Sequence, residues 1–104
     1  MHEDLIQTAE ARVSAIVLQS REHAPWHHHT ESIEHLFCLM GAVEVQLQSP
    51  AHCVRLQPGQ RYTVPAKRIH RLINPSDNPA QYLLVQGGRH DVVEGADLLP
   101  LRAC

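Results

Sequence analysis

The chain has 104 residues, 43% hydrophobic and 19% charged, which suits one globular domain rather than disorder. Nine Lys plus Arg against eleven Asp plus Glu leave a formal net charge of −2 with no long basic run, so neither nucleic acid nor an anionic membrane is an expected partner. The run Leu36 to Val43 is far too short to span a membrane, and the Met1 to Asp4 start lacks a signal-peptide pattern. Cys38, Cys53 and Cys104 show no CxxC spacing, so no disulfide framework is expected and a cytoplasmic location is the default.

In chain order, a short helical possibility lies near Ala9 to Ser14, overlapping a β-branched segment from Val13 to Gln19. Glu34 to Met40 and Ala42 to Gln48 flank Gly41 and read as strands. The second alternates strictly, with Val43, Val45 and Leu47 facing a core and Glu44, Gln46 and Gln48 facing water. Ser49-Pro50 turns the chain into a strand from His52 to Leu56, and Gln57-Pro58-Gly59-Gln60 is a turn. Arg61 to Val64 and Ile69 to Ile73 are strands, Asn74 to Pro79 is a loop, and Gln81 to Gln86 is the last strand before Gly87-Gly88. Many short strands predict an all-β antiparallel sandwich or barrel with a core from about residue 13 to 88. In a chain this small, closing the barrel would remove exposed strand edges.

Histidine is the outlier, at nine residues, three of them consecutive. On an extended strand, His27 and His29 face one side and His28 the other. Thr30, Glu31 and Ser32 allow a reversal that returns Glu34 beside them, and a rolled sheet brings His70 to the same point. Three imidazoles and a carboxylate make a divalent-metal site of N,O type, which does not choose among Zn, Fe, Mn, Ni and Co. His2, His23, His28, His35, His52 and His90 are assigned to the surface or rim. Asn74 is assigned to its turn, and Trp26 to the wall or core.

These residues carry a resemblance. His27, His29, Glu34 and Gly41 fit the first cupin motif, G-x5-HxH-x3,4-E-x6-G, and Gly59, Pro65, His70 and Asn74 fit the second, G-x5-PxG-x2-H-x3-N. The chain resembles the cupin superfamily, which implies a jelly-roll barrel spanning residues 1–104 as one domain. Two positions depart from the pattern: Arg21 and Lys67 stand where the motifs have glycine. Cupin-type thiol dioxygenases are similar in their histidines but generally lack the motif-one glutamate, so Cys38 is read as a small buried hydrophobe.

Strand parity predicts a pocket of Leu36, Cys38, Met40, Val45, Tyr62 and Leu72 around the ion. Arg71 should face away, and Arg68 should sit near the rim, where it steers anions. Four protein ligands leave coordination positions open, as a catalytic ion needs. The expected function is that of a metalloenzyme acting on a small oxygenated compound, such as a sugar acid, keto acid or enol. The chemistry is Lewis-acid isomerisation or lyase chemistry, or dioxygenation. The alternative is a non-enzymatic, metal-dependent binding or sensing module, although no helix-turn-helix segment is present. A homodimer is expected from small size and from apolar flanks at Leu5, Ile6, Leu98, Leu99 and Leu101.

Overall fold

Period-two alternation dominates the chain, and the backbone follows it almost throughout. The computed structural model describes residues 2–89 and 91–95, among which there are ten strands and no helix. They are β1 His2–Gln7, β2 Ala11–Leu18, β3 His27–His28, β4 Ile33–Met40, β5 Val43–Leu47, β6 His52–Leu56, β7 Arg61–Val64, β8 His70–Ile73, β9 Ala80–Gly87 and β10 Val93–Glu94. The helical possibility near Ala9 to Ser14 is not realised, because β2 pairs with β9 from Ala11↔Gly87 to Leu18↔Ala80. The expected flanks Leu98, Leu99 and Leu101, together with His90 and Cys104, lie outside the described residues.

The strands form two five-stranded antiparallel sheets, ordered β1-β2-β9-β4-β7 and β10-β3-β8-β5-β6. This is the jelly-roll layering, but the barrel is not closed by hydrogen bonds. Consecutive strands β6 and β7 are joined by the Gln57–Gln60 turn yet belong to different sheets, so each sheet keeps two edges. Between the sheets, Leu36, Cys38, Val43, Val45, Leu47 and Val64 are buried to 1% exposure or less.

Two local features depart from simple alternation, and one concerns the cysteines. Glu44 and Gln46 were expected in water but are 0% and 2% exposed. Their cross-strand partners lie over them: Arg55, opposite Glu44, donates to its Oε2 from Nε (3.2 Å) and Nη2 (2.5 Å), and Arg71, opposite Gln46, donates to its Oε1 at 2.8 Å. Arg71 also stacks 4.6 Å above the buried Trp26 ring, on the outer side of its sheet as expected. Met40 was expected to point inward and is 47% exposed, because the β4–β9 register shifts between Cys38 and Met40. Finally, Cys38 is free and buried whereas Cys53 is disulfide-bonded, which removes the support that reduced thiols lent to a cytoplasmic location.

The two motif positions without glycine keep a glycine-like backbone. Arg21 has φ 60° and Lys67 φ 69°, both left-handed. The Lys67 turn is useful to the fold, since its N–H donates to the His29 carbonyl at 2.6 Å. Asn74 does more than cap a turn. Its amide donates to the Leu18, Gln19 and Asn78 carbonyls while its Oδ1 accepts from Ser76 N–H and Oγ–H.

Candidate metal centre

Cross-strand register assembles the centre. His27 of β3 lies opposite His70 of β8, so both imidazoles leave the second sheet side by side, with ring centroids 4.3 Å apart. Glu34 of β4 rises from the facing sheet, opposite Gln86 and Val64. His29 follows β3 at the mouth. One ligand atom from each of His27, His29, Glu34 and His70 lies within 4.8 Å of the others. His27 Nε2 is 3.6 Å and His70 Nε2 is 3.2 Å from Glu34 Oε1, and His29 Nε2 contacts the same oxygen.

The ring tautomers follow from the outer contacts. His27 Nδ1–H donates to the Pro25 carbonyl (2.9 Å), His70 Nδ1–H to the Arg68 carbonyl (2.8 Å) and His29 Nδ1–H to the Asp91 carbonyl. A carbonyl oxygen accepts only, so Nδ1 carries the proton in each ring and the Nε2 lone pair faces inward. Three lone pairs and a carboxylate then converge in a dry space. His29 Nε2, His70 Nε2 and Glu34 Oε1 are buried there without a hydrogen-bond partner. With all three rings neutral such an arrangement is repulsive unless a cation, or a proton on an imidazole, occupies its centre, so the donor set fits a divalent ion of N,O preference.

The charges already respond to this crowding. Burial pushes Glu34 up, but the neighbouring His27 and His70 imidazoles outweigh it and hold the carboxyl well below its usual range. Burial pushes the His27 imidazole down, yet Glu34 and the Pro25 carbonyl outweigh it and leave it raised. For His29, burial prevails and the imidazole is lowered.

Around the ligands lies a supporting shell that the sequence reading missed. The Gln86 amide sits 3.2 Å from His29 Nδ1 and 3.1 Å from Ser32 Oγ. Asp91 not only receives the His29 Nδ1–H on its carbonyl but also clasps Thr30 with its carboxylate, accepting from N–H (3.0 Å) and Oγ1–H (2.7 Å). Gln86 had one available signal, its inward parity with Tyr82 and Leu84. Asp91 had none.

Beside the centre is a cavity of about 180 Å³, lined by His27, His29 and Glu34 and by Arg12, Ile16, Ala24, Pro25, Leu72, Tyr82, Leu84, Val92 and Glu94. Of the six expected pocket residues, Leu72 lines it. Leu36, Cys38 and Val45 are packed in the core, Tyr62 packs against that core, and Met40 faces outward. Parity predicts inward direction correctly but not which part of the interior stays open. Side chains of β4, β5 and β7 fill the core, while Arg12 and Ile16 of β2 line the cavity. Arg68, expected to steer anions, instead donates to the Gln48 and Pro50 carbonyls at 2.7 Å each. His35 points outward onto Thr63 (3.0 Å), as its parity requires.

The fold agrees with the comparisons. A family model for the cupin domain matches residues 15–86, and the chain belongs to that family. No curated protein sequence matches. Among solved structures, a conserved double-stranded β-helix protein from Klebsiella pneumoniae is 12% identical, with a TM-score of 0.82 over 93% of this chain and 84% of that one. An oxalate oxidase in complex with the substrate analogue glycolate is 13% identical, with a TM-score of 0.79 over 89% of this chain and 53% of that one. A cupin-superfamily sugar phosphate isomerase from Silicibacter pomeroyi is 25% identical, with a TM-score of 0.65 over 75% of this chain and 50% of that one. The chain thus spans about half the length of these last two proteins.

Proposed function

We propose that the chain is a single-domain, metal-dependent cupin that acts on a small oxygenated organic compound such as a sugar acid, keto acid or enol. The observation that carries this reading is the convergence of four ligand atoms, three of them buried without hydrogen-bond partners, beside a small cavity that His27, His29 and Glu34 line. His27, His29, Glu34 and His70 hold one divalent ion: Zn, Fe, Mn, Ni or Co. When bound, that ion supplies Lewis acidity for isomerisation or lyase chemistry or, as iron, the redox chemistry of dioxygenation. Oxalate oxidase and sugar phosphate isomerase among the proteins of like fold support this range of chemistry.

The chain's own residues do the rest. The three carbonyl contacts fix each imidazole with Nε2 forward, so no ring has to reorient on binding. Ile16, Leu72, Leu84 and Val92 exclude water from the bound compound. Burial and the nearby Glu34 charge raise the Tyr82 phenol, so its hydroxyl stays protonated and donates a hydrogen bond into the cavity. The Glu94 carboxylate, next to His27 in the β10–β3 pair, is the second acidic group lining the cavity.

Metal analysis of the purified chain is the direct test. His29→Ala and Glu34→Ala should lose metal while circular dichroism still reports a folded all-β protein. Leu47→Ala, which empties a fully buried core position, should instead cost about 2–5 kcal/mol of stability. If the ligand variants unfold as badly as Leu47→Ala, the centre is structural and the functional reading fails. Turnover of small carbonyl and enol compounds, under air and without it, separates dioxygenation from isomerase or lyase chemistry. Tight binding without turnover selects the binding or sensing module.

A further inference from the structure

The cavity wall holds a cation that neither the motifs nor the ligand set requires. Arg12 lies opposite Gln86 in the β2–β9 ladder, and Gln86 lies opposite Glu34 in the β9–β4 ladder. Arg12, Gln86 and Glu34 therefore form one cross-strand row facing the interior. Two strand spacings separate the backbone of Arg12 from that of Glu34, about 10 Å. The Arg12 guanidinium leans toward β1 rather than across β9, so it stands at the β2 rim of the space in front of Glu34. Arg12 and the ligands His27, His29 and Glu34 line the same cavity.

The guanidinium is held in place from behind. Its Nε donates to Asp4 Oδ1 (3.2 Å) and Ser14 Oγ (3.0 Å), and its Nη2 lies 2.9 Å from His2 Nε2. The Ser14 hydroxyl in turn donates to Asp4 Oδ1 at 2.5 Å. Ser14 and His2 hold the Asp4 carboxyl down at about 2, so it stays charged and keeps its grip on Arg12. Asp4, Ser14 and His2 do not line the cavity. Among the described residues, Arg12 Nη1 has no acceptor. One end of the fork is thus anchored and the other remains to be filled. Near the His–Glu group the cavity is otherwise apolar, except for the Tyr82 hydroxyl and for Glu94, whose backbone pairs with His27 on the facing sheet. Glu94 repels an anion from that wall and so directs it toward Arg12.

We infer that Arg12 is the specificity residue of this site and that it selects small organic acids, taking the carboxylate while a second oxygen function of the same molecule reaches the His–Glu group. The inference rests on the small-molecule reading above and narrows its substrate class to carboxylates. A cavity of about 180 Å³ suits an acid of a few carbons rather than a nucleotide or a long-chain acid.

The test compares charged and neutral twins. Pyruvate and lactate are titrated against pyruvamide and lactamide by ligand-observed NMR, on metal-loaded and metal-free protein. Wild type should bind each acid about tenfold or more tightly than its amide, the scale of one charge-assisted hydrogen bond. Arg12→Gln should abolish that ratio with metal content and circular dichroism unchanged, and Arg12→Lys should keep part of it. If Arg12→Gln does not fold, Asp4→Asn supplies the second measurement, since releasing the anchor should lower the ratio without removing the cation. An unchanged ratio in the folded variants, or no wild-type preference for the acids, overturns the inference. Failure of the metal reading would look different. Wild type would take up no ion, while the metal-free protein still preferred the acids through Arg12.

Discussion

Lys67 shows how a single residue can hold an uncomfortable backbone for the sake of a neighbour. Its left-handed φ of 69° is costly for a side chain with a Cβ, yet the turn aims its N–H at the His29 carbonyl. The side chain itself is exposed, so Lys67→Gly should relieve strain without losing a contact and stabilise the fold by about 0.5–1 kcal/mol in denaturant melts. Glu34 carries a pH dependence of definite sign. Its folded pKa lies below the ordinary 4.5, so the unfolded chain binds its proton first as pH falls. The stability it contributes is present above about 4.5 and is lost in more acid solution. Metal-free protein should therefore weaken steeply below that pH in urea melts, and Glu34→Gln should flatten the profile. That His27, His29 and Glu34 come together was legible at this scale, because a period of two and a five-residue reversal are rules of the backbone itself. Arg12 was not legible, because its inward direction depends on a strand that local propensity alone could equally have made a helical turn.

Among the elements, β10 is as short as β3, two residues, and it matters to the centre. Two residues pair it to β3, and just before it Asp91 receives the His29 Nδ1–H and clasps Thr30. Asp91→Ala leaves the backbone carbonyl but removes the clasp. It should weaken metal affinity by about tenfold or more, measured by competition with a chelator, with little change in global stability. Neither β1 nor β10 was legible in the sequence. The first is polar and irregular, with a register shift between Asp4 and Ile6, and the second has only two residues. The consecutive strands β5 to β9 were read nearly to the residue, because turn residues at Ser49-Pro50, Pro58-Gly59 and Asn74 to Pro79 delimit them. The face of β5 was misread for a different reason. Alternation tells which residues share a side, but arginines from two other strands decide whether that side is wet.

At the scale of the whole molecule, the outer face of the β2–β9–β4 ladder is unusually apolar for an exposed surface. Val13 aligns with Val85, Ala15 with Leu83 and Phe37, and Ile33 and Leu39 on the same side are 44% and 48% exposed. A homodimer through this face is expected, and light scattering at micromolar concentration should return twice the chain mass of 11.7 kDa. A monomer at that concentration would remove the dimer from the proposal. The interior divides its work across the sandwich. The half around β4, β5 and β7 is filled by Leu36, Val45 and Val64, and the half toward β2 keeps its space open for a ligand.

Among the described residues, β1 is an edge of its sheet, and a sheet edge invites strands from other chains. His2 and Asp4 stand on that edge, tied to Arg12 and Ser14 by hydrogen bonds and by the Asp4–Arg12 ion pair. A strand docking there would have to desolvate a fixed carboxylate and an imidazole, which protects the protein against amyloid-like edge growth. The anchor that steadies the cavity's cation is thus also the molecule's guard against aggregation, and a change at Asp4 would put solubility at risk together with ligand choice.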